Sequence, residues 1–237
     1  MSGSSERKII VAIDGPSGAG KSTVTRALAD RLGYINIDTG AMFRAVALMV
    51  ERGGIDPEDE ASLATLCAGL EIDFDRTDGC CRVLVNGEDV SAAIRTPEIS
   101  LLTSVVSTKK VVRDYLLTLQ RRMGERGGVV LEGRDIGTVV FPSAQVKFFL
   151  TASVEERGRR RFEELNAKGT CVTLEQTILE VEQRDRQDLQ REHAPLRRAD
   201  DAIDIDSTAL TLEDVLEKME AIVREKAAED LGAGSRG

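Results

Sequence analysis

Tryptophan is absent from this 237-residue chain, and phenylalanine and tyrosine raise the aromatic share to only 3%. The core must therefore be filled by Leu, Val, Ile and Ala, and the 41% hydrophobic fraction is enough for that. No apolar run approaches the roughly 18 residues that span a bilayer, and no charged-then-apolar leader follows Met1. A soluble, cytoplasmic protein is the expectation. Histidine occurs once, at His193, and Cys67, Cys80, Cys81 and Cys171 form no C-x-x-C pair. Zinc frameworks need such short ligand spacings, so the thiols read as packing residues. Positive charge is also short. A net charge of −9 argues against a nucleic-acid binder, because phosphate backbones demand a basic face.

What basic charge there is comes mostly as arginine, 24 of the 32 basic residues, gathered in a few places. Arginine grips phosphate through a planar fork of donors. Local arginine clusters in an acidic chain point to a small anionic ligand, although genomic base composition could also enrich arginine.

Lys8 to Asp14 is a continuous apolar run closed by an acid, the pattern of a strand buried on both faces. After it, Val24, Leu28 and Leu32 recur at helical spacing until Gly33. Tyr34–Asp38 reads as a strand and Met42–Met49 as a helix. From about Cys67 to Val106 the style changes to short alternating strands. Thr77–Gly79 links the first pair, and Asn86-Gly87 marks a hairpin into Glu88–Val90. Strand and helix then alternate again: helix Val111–Met123, strand Val129–Glu132 and strand Val146–Leu150. Capping-box strings at Ser153–Glu156 and Thr173–Gln176 open two charged helices. A strand at Ala202–Asp206 and a helix from Thr211 to about Ala228 close the pattern.

The expected architecture is α/β, a doubly wound five-stranded parallel sheet with ligands at the carboxyl ends of its strands. Residues 1–7 should be disordered, 8–66 core, 67–106 an antiparallel insert, 107–155 core, 156–192 a helical lid, 193–228 core, and 229–237 a disordered tail.

Gly15-Pro16-Ser17-Gly18-Ala19-Gly20-Lys21-Ser22 matches G-x-x-x-x-G-K-[ST] in full, with Thr23 following in the helix. The glycines let backbone amides converge on a triphosphate, and the helix start adds the positive end of its dipole. Lys21 would carry charge to the β- and γ-phosphates, and Ser22 would offer its hydroxyl to Mg²⁺. ATP is the expected co-substrate. An N-K-x-D guanine-reading string does not occur, and the chain is short for a motor. A compact kinase with its own acceptor site remains.

Three stretches look like that acceptor site: Asp38 to Arg44, Glu132 to Pro142, and Arg184, Asp188 and Arg191, spaced along one helix face. Together with G-P-S-G-A-G-K-S, the strings D-T-G-A-M-F-R, G-E-D-V-S-A-A-I-R-T, E-G-R-D-I-G-T-V-V-F-P and A-P-L at Pro195 make the chain resemble the bacterial cytidylate kinases, from about Lys8 to about Ile222. The resemblance implies a P-loop fold with an enlarged monophosphate-binding insert, and transfer from Mg-ATP to CMP or dCMP. A monomer is expected because the sequence shows no long unaccounted apolar helix face. The resemblance also implies that Arg44, Arg134 and Arg191 grip the acceptor phosphate and that Ser104, Arg113 and Asp135 read cytosine. Arg184 and Asp188 would meet the sugar, and Thr39 would line the pocket. Arg157, Arg160 and Arg161 would close over ATP and act with Lys21 in catalysis. Phe43 stands where the family often has Tyr, and Thr39 where Ser is commoner.

Plainer readings stay open beside these. Arg44 could pair with a surface acid, Arg134 could pair with Asp135, and Arg159–Arg161 could form a solvated helix face. Glu132 could meet metal-bound water or hydrogen-bond the phosphate loop. Kinases of UMP, AMP or shikimate, or a nucleotide-binding switch without turnover, are the alternative functions.

Overall fold

The computed structural model describes residues 8–75, 82–167 and 169–234, with side chains to residue 230. The expected disordered start at 1–7, the Thr77–Gly79 link, Cys80 and Cys81 lie outside the described residues. The chain forms two compact units, one running to Asn36 and resuming at Gly124, the other spanning Ile37–Met123. The second is wider than the 67–106 insert read from the sequence.

In the first unit, β1 (Ile10–Asp14) leads through the phosphate loop into α1 (Lys21–Leu32). After the second unit come β6 (Val129–Gly133), β7 (Val146–Thr151), α6 (Val154–Ala167), α7 (Leu174–Gln190), β8 (Ile203–Asp206) and α8 (Leu212–Gly234). With β2 (Ile35–Asp38) at one edge, the strand order is β2-β6-β1-β7-β8. β1 pairs in parallel with β6 and β7, and β7 pairs in parallel with β8. This is the five-stranded parallel sheet expected.

Period-two geometry sorts the strand residues by face. Val11, Ile13, Val130, Val146, Phe148 and Leu150 pack with Val24 and Leu28 of α1 and with Val215, Leu216, Met219 and Val223 of α8. Phe148 is 1% exposed, and burying such a ring contributes about 2–3 kcal/mol. The opposite parity places Asp14 and Lys147, both buried, on the other face. Lys147 Nζ is satisfied there by the Pro142 carbonyl and by both oxygens of Asp201 at 2.9 and 2.8 Å.

The second unit holds α2 (Thr39–Arg52), α3 (Glu60–Ala68), strands β3 (Ile72–Asp75), β4 (Arg82–Val85) and β5 (Glu88–Asp89), then α4 (Pro97–Val106) and most of α5 (Lys110–Gly124). The strands form an antiparallel sheet in the order β3-β4-β5. Asn86 and Gly87 turn the second hairpin with φ of 50° and 82°, the left-handed pair that a two-residue turn requires.

Several elements differ from expectation. The stretch 67–106 is not meander throughout, because Pro97–Val106 is helix. Thr96 caps it by accepting from Ile99 N, and Pro97 sits in its first turn, a start signal the alternation had masked. The Ser153 capping box is only half built. Ser153 Oγ accepts from Glu156 N, whereas the Glu156 carboxylate turns to Arg159 and Arg160. The Thr173 box is complete. α8 continues to Gly234, so 229–234 is helical where a disordered tail was expected.

Candidate active site

The phosphate loop owes its shape to positions where a side chain cannot fit. At Gly15, φ is 152° and an added Cβ would lie 2.0 Å from the Leu150 carbonyl oxygen, so the loop leaves β1 pressed against β7. Lys21, the first residue of α1, is 6% exposed and donates from Nζ to the carbonyls of Gly15 and Pro16 at 2.8 and 2.6 Å. Burial, with the positive charge of Arg134 adding to it, pulls its pKa down to about 7. An ammonium so placed gains most when an anion arrives. Ser22 and Thr23 are exposed at the helix start, and Ser22 Oγ donates to Glu132 Oε2 at 2.9 Å. Glu132 thus bonds the phosphate loop, one of the two roles left open for it.

The arginines of α6 separate by position. Arg157, 4% exposed, donates to the Ala152 and Ser17 carbonyls at 2.9 and 3.1 Å and pairs with Asp185 of α7 at 2.7 Å. Arg160 reaches the Ala19 carbonyl at 3.4 Å and the Ser207 carbonyl at 2.8 Å, with Glu156 on its Nε at 2.8 Å. Both therefore touch the phosphate loop. Arg161 instead pairs with Glu164 one turn along α6 at 3.0 Å, while Arg159 lies on the exposed side between Glu156 and Glu163. Shared spacing does not put Arg157, Arg160 and Arg161 on one set of partners.

A second cluster forms where β6 ends. Arg134 Nε donates to Asp188 Oδ2 at 2.7 Å, and Arg191 lies 3.6 Å from Asp188 and 3.7 Å from Asp135. Arg134 thus pairs with Asp188, and Asp135 faces Arg191. Burial alone would raise the Asp188 pKa, but Arg134, Arg191 and Arg184 outweigh it and hold the carboxyl below its ordinary range. α7 stops at Gln190, so Arg191 is its cap rather than a helical position, with ψ of 140°. Its Nε donates to the Ala194 carbonyl at 2.6 Å. Ala194 adopts φ of 48°, a left-handed conformation costing a non-glycine residue roughly 1–2 kcal/mol, just before Pro195. The strained turn aims that carbonyl at Arg191.

The remaining acceptor candidates lie in the second unit. Thr39 is buried at the start of α2, where Asp38 caps the helix by accepting from Ala41 N. Arg44 pairs with the same Asp38 at 2.9 Å, and its Nε is a buried donor with no hydrogen bond among the described residues. Arg113 places its guanidinium 5.4 Å from the Phe43 ring centroid and donates to the Ser107 carbonyl at 3.0 Å. Phe43 thus stacks with a guanidinium through its ring face, without the phenol that Tyr would bring. Ser104 Oγ donates to the Ser100 carbonyl at 3.4 Å along α4.

Sequence reasoning assigned no partner to Asp14 or Asp38 and passed over Asp185 and Ser207, which hold Arg157 and Arg160 in place. Asp14 and Asp38, as acids closing buried strands, gave a readable signal. Asp185 and Ser207 gave none, since their partners are distant in the chain.

Metal fit can be judged on oxygen donors. A hydroxyl and a carboxylate meet at Ser22 and Glu132, and among the described residues no group of three or more His, Cys, Asp or Glu could hold a metal ion. That matches Mg²⁺, which takes one or two protein oxygens and leaves the rest to phosphates and water. Among the described residues no helix is long and apolar enough to cross a membrane.

Comparison with known proteins gives a consistent result. The family model for cytidylate kinase matches residues 11–225. The chain is 68% identical over 233 residues to a cytidylate kinase of Geobacter sulfurreducens, covering 98% of this chain and all of that one. It is 46% identical over 222 residues to a cytidylate kinase of Bacillus subtilis, covering 94% and 99% of the two chains. Among solved structures, an uncharacterized protein from Eubacterium ventriosum superposes with a TM-score of 0.51 at 11% identity, covering 92% of this chain and 99% of that one, a likeness of fold alone. With a phosphate loop in strand–helix context, the E-G-R-D-I-G-T turn at the end of β6 and a family match over nearly its whole length, the chain belongs to the cytidylate kinase family.

Proposed function

We infer that the protein transfers the γ-phosphoryl group of ATP to CMP, giving ADP and CDP, with dCMP as a second acceptor. The reading is carried by one feature of the first unit. β6 ties the phosphate loop to the Arg134–Asp188–Arg191–Asp135 cluster: Glu132 accepts from Ser22 of the loop at 2.9 Å, and Arg134, two residues on, pairs with Asp188 at 2.7 Å. Two anion-directed sites within electrostatic reach suit a reaction between two polyanions.

The attacking atom is a phosphate oxygen of CMP. Its second pKa is about 6, so it is largely dianionic near neutrality and needs no general base. It forms a bond to the γ-phosphorus as the bond to the β,γ-bridging oxygen breaks, and that electron pair leaves with ADP. Lys21, Arg157, Arg160 and Arg161 would neutralise charge on the transferring group. Residues 15–23 would hold the triphosphate, and Mg²⁺, carried by the Ser22 hydroxyl, supplies further neutralisation when bound. Arg44, Arg134 and Arg191 would hold the acceptor phosphate, and the orphan Nε of Arg44 is the kind of unmet donor that an anion satisfies. Ser104, Arg113 and Asp135 would read cytosine, Arg184 and Asp188 would contact the sugar, and Thr39 would line the pocket. The α6–α7 pair would serve as the lid that excludes water, the rival acceptor. We place the protein in the cytoplasm as a monomer.

The test is to incubate purified protein with Mg-ATP and a panel of CMP, dCMP, UMP, AMP and shikimate, measuring ADP release and the phosphorylated product. CDP and dCDP should form, with ATP hydrolysis slow in the absence of acceptor. Equal ADP release with and without CMP, or preference for another acceptor, would overturn the assignment.

A further inference from the structure

Asp14 is the last residue of β1, and the chain passes from it directly into Gly15 of the phosphate loop. Its carboxylate does not point to that loop's amides. Oδ1 accepts from Ile136 N at 2.8 Å and Oδ2 from Gly137 N at 2.7 Å. Those amides are the two that follow Asp135, and they open a five-residue π-helical turn, Ile136–Val140. The turn closes on Asp135 itself, whose carbonyl accepts from Val139 N at 2.9 Å and Val140 N at 3.1 Å. Asp135 is thus bracketed: its carbonyl holds the far side of the turn while Asp14 holds the two amides next to it.

The clamp has little slack. A Cβ at Gly137 would lie 3.3 Å from Asp14 Oδ2 and 3.1 Å from Lys147 Cδ, so the turn is confined between β1 and the stem of Lys147 on β7. Asp14 is 4% exposed, and each oxygen is engaged by one amide. An ionised carboxylate can accept both bonds at once, whereas an amide side chain offers one acceptor and one donor.

We propose that Asp14 is a positioning residue for acceptor recognition, fixing the Asp135 carboxylate in register with the phosphate loop that begins at the next peptide. This rests on the cytosine-reading role given to Asp135 above. Asp14 touches neither substrate. It makes the geometry of the base site depend on a residue anchored to the ATP site, so the two sites share one rigid hinge point on β1. The charged groups acting on Asp14 are Asp135, which opposes its ionisation, and Lys21, which favours it, with the Lys147 stem across Gly137.

Calorimetric titration of CMP into Asp14→Asn, Asp135→Ala and the double variant separates the possibilities. The Asp14→Asn change should weaken CMP binding about tenfold in the parent and less than twofold once Asp135 is alanine, with ATP affinity changed less than twofold. Gly137→Ala, which presses on the same clamp from the turn side, is a second probe should Asp14→Asn not fold, and the same coupling is expected of it. Equal losses with and without Asp135, or a loss confined to ATP, would overturn the Asp14 link while leaving base reading intact. Normal CMP binding by Asp135→Ala alone would overturn the base-reading role and the proposal with it.

Discussion

The cations of the first unit fall into two groups that differ in what holds them. Around the phosphate loop, Lys21 is held by two main-chain carbonyls, and Arg157 and Arg160 each meet carbonyls of the loop or of the β8 edge besides one carboxylate. At the end of β6, Arg134 bonds the Asp188 carboxylate, and Arg191 bonds the Ala194 carbonyl with the carboxylates of Asp188 and Asp135 facing it at 3.6 and 3.7 Å. Carbonyls satisfy hydrogen bonds without cancelling charge, so Lys21 keeps its charge for a triphosphate, while Arg157 and Arg160 each also face a carboxylate. Carboxylates cancel the charge, and an incoming phosphate dianion must compete with them. The first arrangement favours affinity and transition-state neutralisation, and the second favours discrimination.

The comparison is broken most severely at Lys21. Lys21→Ala should reduce turnover about 10²- to 10³-fold while the protein stays folded, checked by kcat and circular dichroism. A variant retaining near-parental kcat would remove the distinction at its source.

Asp14 sharpens the comparison as a carboxylate held by amides between the two groups. Burial raises its pKa to about 6 against an ordinary 3.8, and the Gly137 and Ile136 amides only partly offset that. The folded state therefore binds this proton before the unfolded chain does. Stability contributed by this group rises as pH falls from about 6.5 to 4, by about 3 kcal/mol. Asp14→Asn lacks that gain. Urea melts of parent and variant at pH 8 and pH 4.5 should show their gap shifting in the parent's favour at the lower pH, and a constant gap would contradict the raised pKa.

Asp188→Asn tests the carboxylate-held group. It removes the carboxylate proposed to contact the sugar and to hold Arg134 and Arg191 in place, and should raise KM for CMP about 10- to 100-fold, with KM for ATP within about twofold. Equal effects on both substrates would mean that the cluster does not belong to the acceptor alone. The smallest contrast lies within α6. Arg160→Ala should lower kcat about tenfold, and Arg161→Ala about twofold, because Arg161 is engaged by a half-exposed pair with Glu164. Matching losses would restore the grouping that their spacing suggested.

Much of this was legible before any coordinates. The phosphate loop is read from eight contiguous residues, of which Gly15, Gly20, Lys21 and Ser22 are dictated by backbone approach, charge or a metal-facing hydroxyl. Four of the five parallel strands were read from apolar residues closed by an acid or glycine and the Val146–Leu150 strand from its apolar residues alone, and Asn86-Gly87 announced its turn. What was hidden depends on distance in the chain. The Asp14 bond to Gly137 spans 123 positions and that of Arg160 to Ser207 spans 47. No local periodicity records such pairings. The helix at Pro97 was missed for another reason, since apolar residues at Ile99, Leu101 and Leu102 fit alternation as readily as a helical stripe.

The strand order carries a consequence for how the protein is made. β1 emerges first from the ribosome, yet both its neighbours, Val129–Gly133 and Val146–Phe149, are synthesised more than a hundred residues later. Until then the phosphate loop has no sheet to stand on, whereas Ile37–Met123 is a continuous segment with its own compact structure. Nucleotide added to stalled nascent chains should therefore leave them unprotected from proteolysis until β7 has cleared the exit tunnel, because only then is the central strand of the sheet flanked on both sides.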